Sequence, residues 1–514
     1  MTDDQEKEVV AASRGLLPRS AFEWFVTLSF LTLALVVLVE LVNVLFYETG
    51  EGVFLFSFQG SLSHIEIGAL SLLMFGSLLI LLSSGMPLSF ATGALTVVFM
   101  YTVGDKHIIN MIPSRMFPMM TDYQLSAIPL FIFMAAMLER AGLVKEMFTV
   151  IYKWLGGLRG GLAAATVFAS TILAAMVGVV GAAVVTMGMI ALPAMLERRY
   201  DPKLALGSVM AGGTLGILIP PSILAIIYAV VAQQSVGELY IGAVFPGLLL
   251  SGLYMTYALI RCYRNPDLGP AMPEEERVSL KEKLLLLRNM IAPIILIFLV
   301  LGLIFTGMAT PVESAAIGSF GAMMVAAMHR LLTLKAVKEA CVICIRNSAM
   351  VLWIMFGASI FVGFYVLKGG ADFVSQMILG TGLSPYGILF LMMFILIFLG
   401  MFLDWVGILL LAVPIFVPII MKLQFDGLFG LAGPAPDKVA LWFGVIYLVN
   451  MQISFISPPY GPALFYARGV TPKSIPTGTI FMAALPFVGL QCLGLLICII
   501  FPEIVLFLPR LAFG

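Results

Sequence analysis

Charge is what this chain has least of. Only 11% of its 514 residues are Asp, Glu, Lys or Arg, where an ordinary soluble domain carries about 25%. A large water-soluble enzyme is excluded, because its surface would go uncovered. The few charges balance, 28 basic against 28 acidic, so no basic excess is offered to nucleic acid. Histidine is almost missing. His64, His107 and His329 lie far apart near the ends of apolar runs. With no HExxH and no Ser-Lys or paired-Asp constellation, the residue types an intramembrane enzyme needs are not assembled. The five cysteines (Cys262, Cys341, Cys344, Cys492, Cys498) lie mostly in or beside apolar segments. Cys341 and Cys344 have no second pair or histidine to complete a metal site, so they read as small buried side chains.

What fills the chain instead is apolar sequence broken by glycine and proline: 61% hydrophobic residues, 49 Gly, 28 Pro and a mean hydropathy of +1.08. Apolar runs long enough to cross a bilayer recur from end to end, which defines an all-α polytopic membrane protein. The run at 24–47 follows three basic residues and is too long for a signal-peptide core, so residues 1–60 form an N-terminal extension with one extra transmembrane helix. Further spans are expected near 65–83, 86–103, 124–140, 204–232, 241–260, 289–306, 313–329, 342–367, 438–467 and 475–505. Two stretches, 161–196 and 387–421, are too long for one crossing. Each is interrupted by glycine near its middle, in "MVGVVGAA" (176–183) and "LGMFLDWVG" (399–407).

If both stretches are re-entrant hairpins and the N-terminus is cytoplasmic, all but six of the 28 Lys and Arg fall on the cytoplasmic side; the exceptions are Lys106, Arg115, Lys368, Lys422, Lys438 and Arg510. This is the distribution the positive-inside rule demands. The first hairpin then opens to the cytoplasm and the second to the outside, where the C-terminus also lies. The halves, 61–263 and 289–514, become inverted repeats joined by a charged cytoplasmic connector at 264–288. Residual similarity agrees: Pro220-Pro221 and Tyr228-Ala229 recur 238 residues later as Pro458-Pro459 and Tyr466-Ala467.

The proline pairs sit in "GGTLGILIPPSI" (212–223) and "MQISFISPPYGP" (451–462). Two successive prolines release carbonyls from the helical ladder, and irregular backbone at membrane depth is tolerated only against protein or a watery cavity. Gly212, Gly213 and Gly216 allow close approach of another backbone, and Thr214 adds a hydroxyl. Freed carbonyls and helix ends inside a membrane suit a small cation and an anionic substrate. The prolines at 220, 221, 458 and 459 therefore mark a candidate substrate and ion site. Asp404, a carboxylate inside an apolar hairpin, is read either as an ion ligand or as a cap on the returning helix. Glu313, after Thr310-Pro311, fits a helix first turn, and Arg468 fits the membrane interface.

Several ordered motifs carry a family resemblance: "LSAIPLFIFMAAMLERAGL" (125–143), "LPAMLERRYDP" (192–202), "GGTLGILIPPSI", "ATPVESAAIG" (309–318), "GMFLDWVGILLLAVPIFVPI" (400–419) and "ISPPYGPALF" (456–465). From about residue 65 to 505 the chain resembles the large membrane subunit of the tripartite ATP-independent periplasmic (TRAP) transporters, the DctM-like proteins of the ion-transporter superfamily. The resemblance implies an elevator-type transporter, not an enzyme, in a bacterial inner membrane. It implies no cofactor but sodium ions for coupling, an organic acid as substrate, a small four-helix DctQ-like membrane subunit and a periplasmic solute-binding protein. It also implies sodium sites where each hairpin meets the broken helix of its own half: Gly178 and Gly181 with Gly213 and Thr214, and Gly400 and Asp404 with Ser454 and Ser457. Gly178, Thr214, Gly400 and Ser457 are the leading sodium candidates. One departure stands out, since the first hairpin has "VGVVGAA" where members often carry a serine-rich turn. A sodium- or proton-coupled carboxylate transporter or exchanger working without a binding protein is the alternative, and a channel would lack saturable coupled uptake.

Overall fold

The computed structural model describes residues 64–513 apart from 105, 179, 402, 428–430, 459 and 460. The helix expected within 1–60, and Pro459, lie outside the described residues. Among the described residues all regular structure is helical. The first half contains α1 (Ile67–Ser83), α2 (Leu88–Val103), α3 (Met111–Met120), α4 (Ala127–Arg140), α5 (Leu143–Leu155), α6 (Gly161–Val177), α7 (Val180–Glu197), α8 (Pro202–Thr214), α9 (Ile223–Ala232) and α10 (Val236–Arg264). The second contains α11 (Leu280–Phe305), α12 (Pro311–Met328), α13 (Leu334–Leu367), α14 (Gly370–Leu379), α15 (Pro385–Gly400), α16 (Trp405–Ile420), α17 (Val439–Ile456), α18 (Pro462–Val470), α19 (Thr477–Ile500) and α20 (Glu503–Phe513). Six of the described helices are long and apolar enough to cross a membrane; α6, α15 and α16 are shorter, and α7 just reaches that length at 18 residues.

Starts and stops follow local chemistry. Asp201 caps α8 by accepting from Leu204 N at 2.9 Å, with Pro202 in the first turn. Thr310 and Glu313 form a reciprocal capping box at the head of α12, the structural role expected for Glu313, and Ser279 with Glu282 does the same for α11. Each cap satisfies amides that the helical ladder leaves without partners. The expected connector at 264–288 thus contains the start of α11. The expected run at 475–505 is two helices, because the chain leaves the helical path at Phe501 and Pro502 opens the turn into α20.

One order of elements occurs twice: a helical hairpin, a broken helix, then a long helix, as α6–α7, α8–α9, α10 and again as α15–α16, α17–α18, α19. The packing is reciprocal. In each half the first segment of the broken helix lies against both arms of its own hairpin, α8 on α6 and α7, α17 on α15 and α16. The second segment crosses to the other half, α9 onto α16 and α18 onto α7, while α19 packs on α8 and α10 on α17. These exchanges put α8 and α17 at the centre, where every residue of α17 and all of α8 from Leu204 to Thr214 are buried. Around them, α4 packs against α12 and α13, and α2 against α13. Their outer faces, with α11, carry exposed Phe298, Phe320 and Trp353.

Candidate functional site at the two helix breaks

In the first half the proline pair strips donors from the end of α8. Pro220 and Pro221 cannot return an amide to the carbonyls of Gly216 and Ile217; Ser222 Oγ takes up the second of these. Among the described residues no hydrogen bond reaches the carbonyls of residues 218–221. The chain restarts as α9 with Ser222 as its cap, and Tyr240 OH donates to Ser222 O at 3.2 Å.

The turn of the first hairpin rests on this break. Gly178 ends α6 in the left-handed conformation, φ +61°, and a Cβ there would stand 2.6 Å from Pro221 O. Only glycine allows both the backbone angle and the approach. Three successive residues of α8 then face three different elements. Gly212 lies against Ser170 of α6, Gly213 against Val184 of α7, and Thr214 toward Gln491 of α19, whose Nε2 is 3.5 Å from Thr214 Oγ1. Thr214 donates its own proton to Ala211 O at 2.9 Å. Of the candidates named from sequence, Gly178 and Pro221 meet, and Gly213 meets the hairpin's returning arm. The Thr214 side chain points instead to the second half.

The second break repeats the scheme with the partners exchanged. Pro458, and Pro459 by its identity alone, deny i+4 donors to the carbonyls of Ser454 and Phe455. Gly400, the last residue of α15, presses on Ser454 so closely that any Cβ would overlap the serine side chain. Among the described residues the Ser454 hydroxyl is buried without a hydrogen-bond partner, as is that of Ser170 against Gly212. Ser457 differs: its hydroxyl donates to Ile453 O at 2.7 Å and its carbonyl accepts from Gly461 N at 3.0 Å. Asp404 is the N-cap of α16, accepting from Val406 N at 3.3 Å. Arg468 donates to Ile475 O at 2.7 Å, which ties it to the loop after α18.

Tyr466, on α18, brings the halves together. A Cβ on Gly181 would sit 3.0 Å from its ring. The second glycine of "VGVVGAA", Gly181, is therefore where an aromatic from the other half is seated, which accounts for a small residue there. Asn450 and Gln452 on α17 are also buried, with polar atoms that have no partner among the described residues. Sequence reasoning passed over Tyr466, Asn450, Gln452 and Gln491 as site residues. Their only signal is polarity inside otherwise apolar helices, which marks function or interhelical contact by default.

Paired hairpins on paired broken helices make up an all-helical polytopic membrane fold, and solved structures share it. The Alcanivorax borkumensis YdaH transporter superposes with a TM-score of 0.57, covering 84% of this chain and 98% of its own at 15% identity. Neisseria gonorrhoeae MtrF does so at 0.52, covering 77% and 83% at 16% identity. Residues 75–504 match the family described as "Tripartite ATP-independent periplasmic transporter, DctM component", and the chain belongs to that family. It is 32% identical to the C4-dicarboxylate TRAP transporter large permease protein DctM of Pseudomonas aeruginosa, over 82% of this chain and 93% of that one. Identity is 30% to the corresponding Rhodobacter capsulatus protein (86% and 99%) and 28% to the Vibrio cholerae sialic acid TRAP transporter large permease protein SiaM (84% and 97%). It is a large permease subunit of a transporter, not an enzyme.

Proposed function

We propose that this subunit uses a sodium gradient to import an organic acid across a bacterial inner membrane, taking it from a periplasmic solute-binding protein and working beside a small four-helix membrane subunit. The observation that carries the sodium reading is the junction of each hairpin with a proline-broken helix: Gly178 on the Pro221 carbonyl, Gly400 on Ser454. Such junctions supply oxygen ligands at membrane depth without a charged side chain, which suits a coupling cation that must also leave. The acid follows from relatives named for C4-dicarboxylates and sialic acid. In this reading the halves are inverted, the N-terminus is cytoplasmic and the C-terminus periplasmic, and the hairpins travel with α8 and α17 in an elevator movement.

Reconstitution tests the partners. Proteoliposomes holding the large and small subunits are given labelled C4-dicarboxylates and other organic acids, either free or loaded on the binding protein. Negligible uptake of free acid and full uptake from the loaded protein are expected. Equal uptake of the free acid would favour an exchanger that needs no binding protein.

A further inference from the structure

Gln491 belongs to no hairpin and no break, yet it is fully buried in the middle of α19 and extends its amide toward the last residue of α8. Its Nε2 stands 3.5 Å from Thr214 Oγ1, and its Oε1 has no partner among the described residues. Tyr254 of α10, also fully buried, packs beside it, its ring 5.6 Å from Phe487, one turn before Gln491. The helices come close enough for this because Gly207 of α8 lies on Ala483 O and the Phe487 ring, where a Cβ would be 2.6 Å from that carbonyl. A buried carboxamide between packed helices is costly unless it holds something in place.

What it holds is the rotation of α8 at the point where its ladder fails. Gly212 and Gly213 have no side chain with which to grip α6 and α7, so they allow sliding and turning as well as close approach. Thr214, about 100° further round, is the first residue with a polar handle, and its hydroxyl accepts from the α19 amide while donating to its own helix. Beyond it comes Pro221, whose carbonyl faces the hairpin turn.

We infer that Gln491 is a positioning residue: acting through Thr214, it fixes the setting of the first helix break, and with it the Pro221 carbonyl that meets the Gly178 turn. This rests on the sodium reading above only for its effect on coupling. Gln491→Leu should raise the sodium concentration for half-maximal uptake about threefold, the size of one interhelical side-chain hydrogen bond in a membrane, with the maximal rate little changed. Thr214→Val should give a similar shift, and the double variant no more than either single one. Gln491→Met keeps the length and loses the donor, so it should match the leucine variant even if the latter folds poorly. Hydrogen exchange on the purified full chain gives an independent readout: amides of residues 215–219 should exchange faster in both Gln491 variants, those of 463–470 unchanged. Additive shifts, or unaltered half-saturation together with unaltered exchange, would overturn the assignment. Wild-type uptake indifferent to sodium would defeat the functional reading alone, and the exchange result would still decide the positioning role.

Discussion

Gly178 and Gly400 do the same work by different means. At Gly178 the constraint is double, a left-handed backbone and a carbonyl 2.6 Å from any Cβ. Gly178→Ala therefore adds about 1–2 kcal/mol of backbone strain to a clash with Pro221, and it should cut uptake at least tenfold while some protein still reaches the membrane. At Gly400 the obstacle is only the Ser454 side chain. Gly400→Ala should likewise abolish most uptake, but Gly400→Ala with Ser454→Gly removes the overlap and should recover part of it, measured as initial rates per mole of reconstituted protein. Failure of the pair to recover more than either single variant would show that the Ser454 hydroxyl itself is needed. Serine hydroxyls can be ranked in the same assay: Ser454→Ala should raise the sodium requirement more than Ser457→Ala, because the Ser457 hydroxyl is already committed to Ile453 O. That ranking was not legible from the sequence. Composition locates a serine on a broken helix, but 100° of rotation per residue decides whether it meets the hairpin or its own carbonyls. The same rotation carries Thr214 away from Gly178.

At the scale of elements, the connector is more than a tether. Gly160 N donates to Gly269 O at 2.8 Å, Met272 N to Gly156 O at 2.7 Å and Asp201 N to Leu268 O at 3.0 Å. Arg198 pairs with Glu276, and Lys153 donates to the Glu276 carbonyl. Tyr200 sits among them, donating to Pro270 O at 3.1 Å and accepting from Leu162 N at 3.2 Å. Burial pushes its hydroxyl above the usual tyrosine range, so it remains a donor at physiological pH. Segment 265–279 thereby ties both roots of the first hairpin to α5. Tyr200→Phe leaves a buried amide and a carbonyl unpaired, worth about 1–3 kcal/mol, and should lower the detergent-solubilised melting temperature while sodium half-saturation stays put. Both hairpins, both breaks and the long spans were readable because glycine and proline interrupt apolar runs at visible points. Helices α3, α5, α14 and α20 were not, since 10–13 residues with interspersed polar positions, as in "LVKEMFTVIYKWL", give no spanning signal. Helix α5 is fixed by an apolar face of Val144, Met147, Phe148 and Ile151, a pattern of period 3.6 rather than of net hydropathy.

For the whole molecule, the reciprocal exchange of segments is the feature that transport would use. Helix α9 lies on the second hairpin and α18 on the first, so neither hairpin contacts a break from one half alone. Tyr466 is the visible case, a residue of one repeat seated on the turn of the other. Sequence offset revealed Tyr466 as a repeat partner of Tyr228 but not this contact, which depends on how the halves nest. The measurement that bears most directly on the account is uptake driven by an imposed ion gradient in proteoliposomes holding both membrane subunits and the loaded binding protein. With sodium outside, labelled acid should accumulate; with sodium replaced by potassium at equal osmolarity, uptake should fall to the level of empty vesicles. Undiminished uptake in potassium would contradict it.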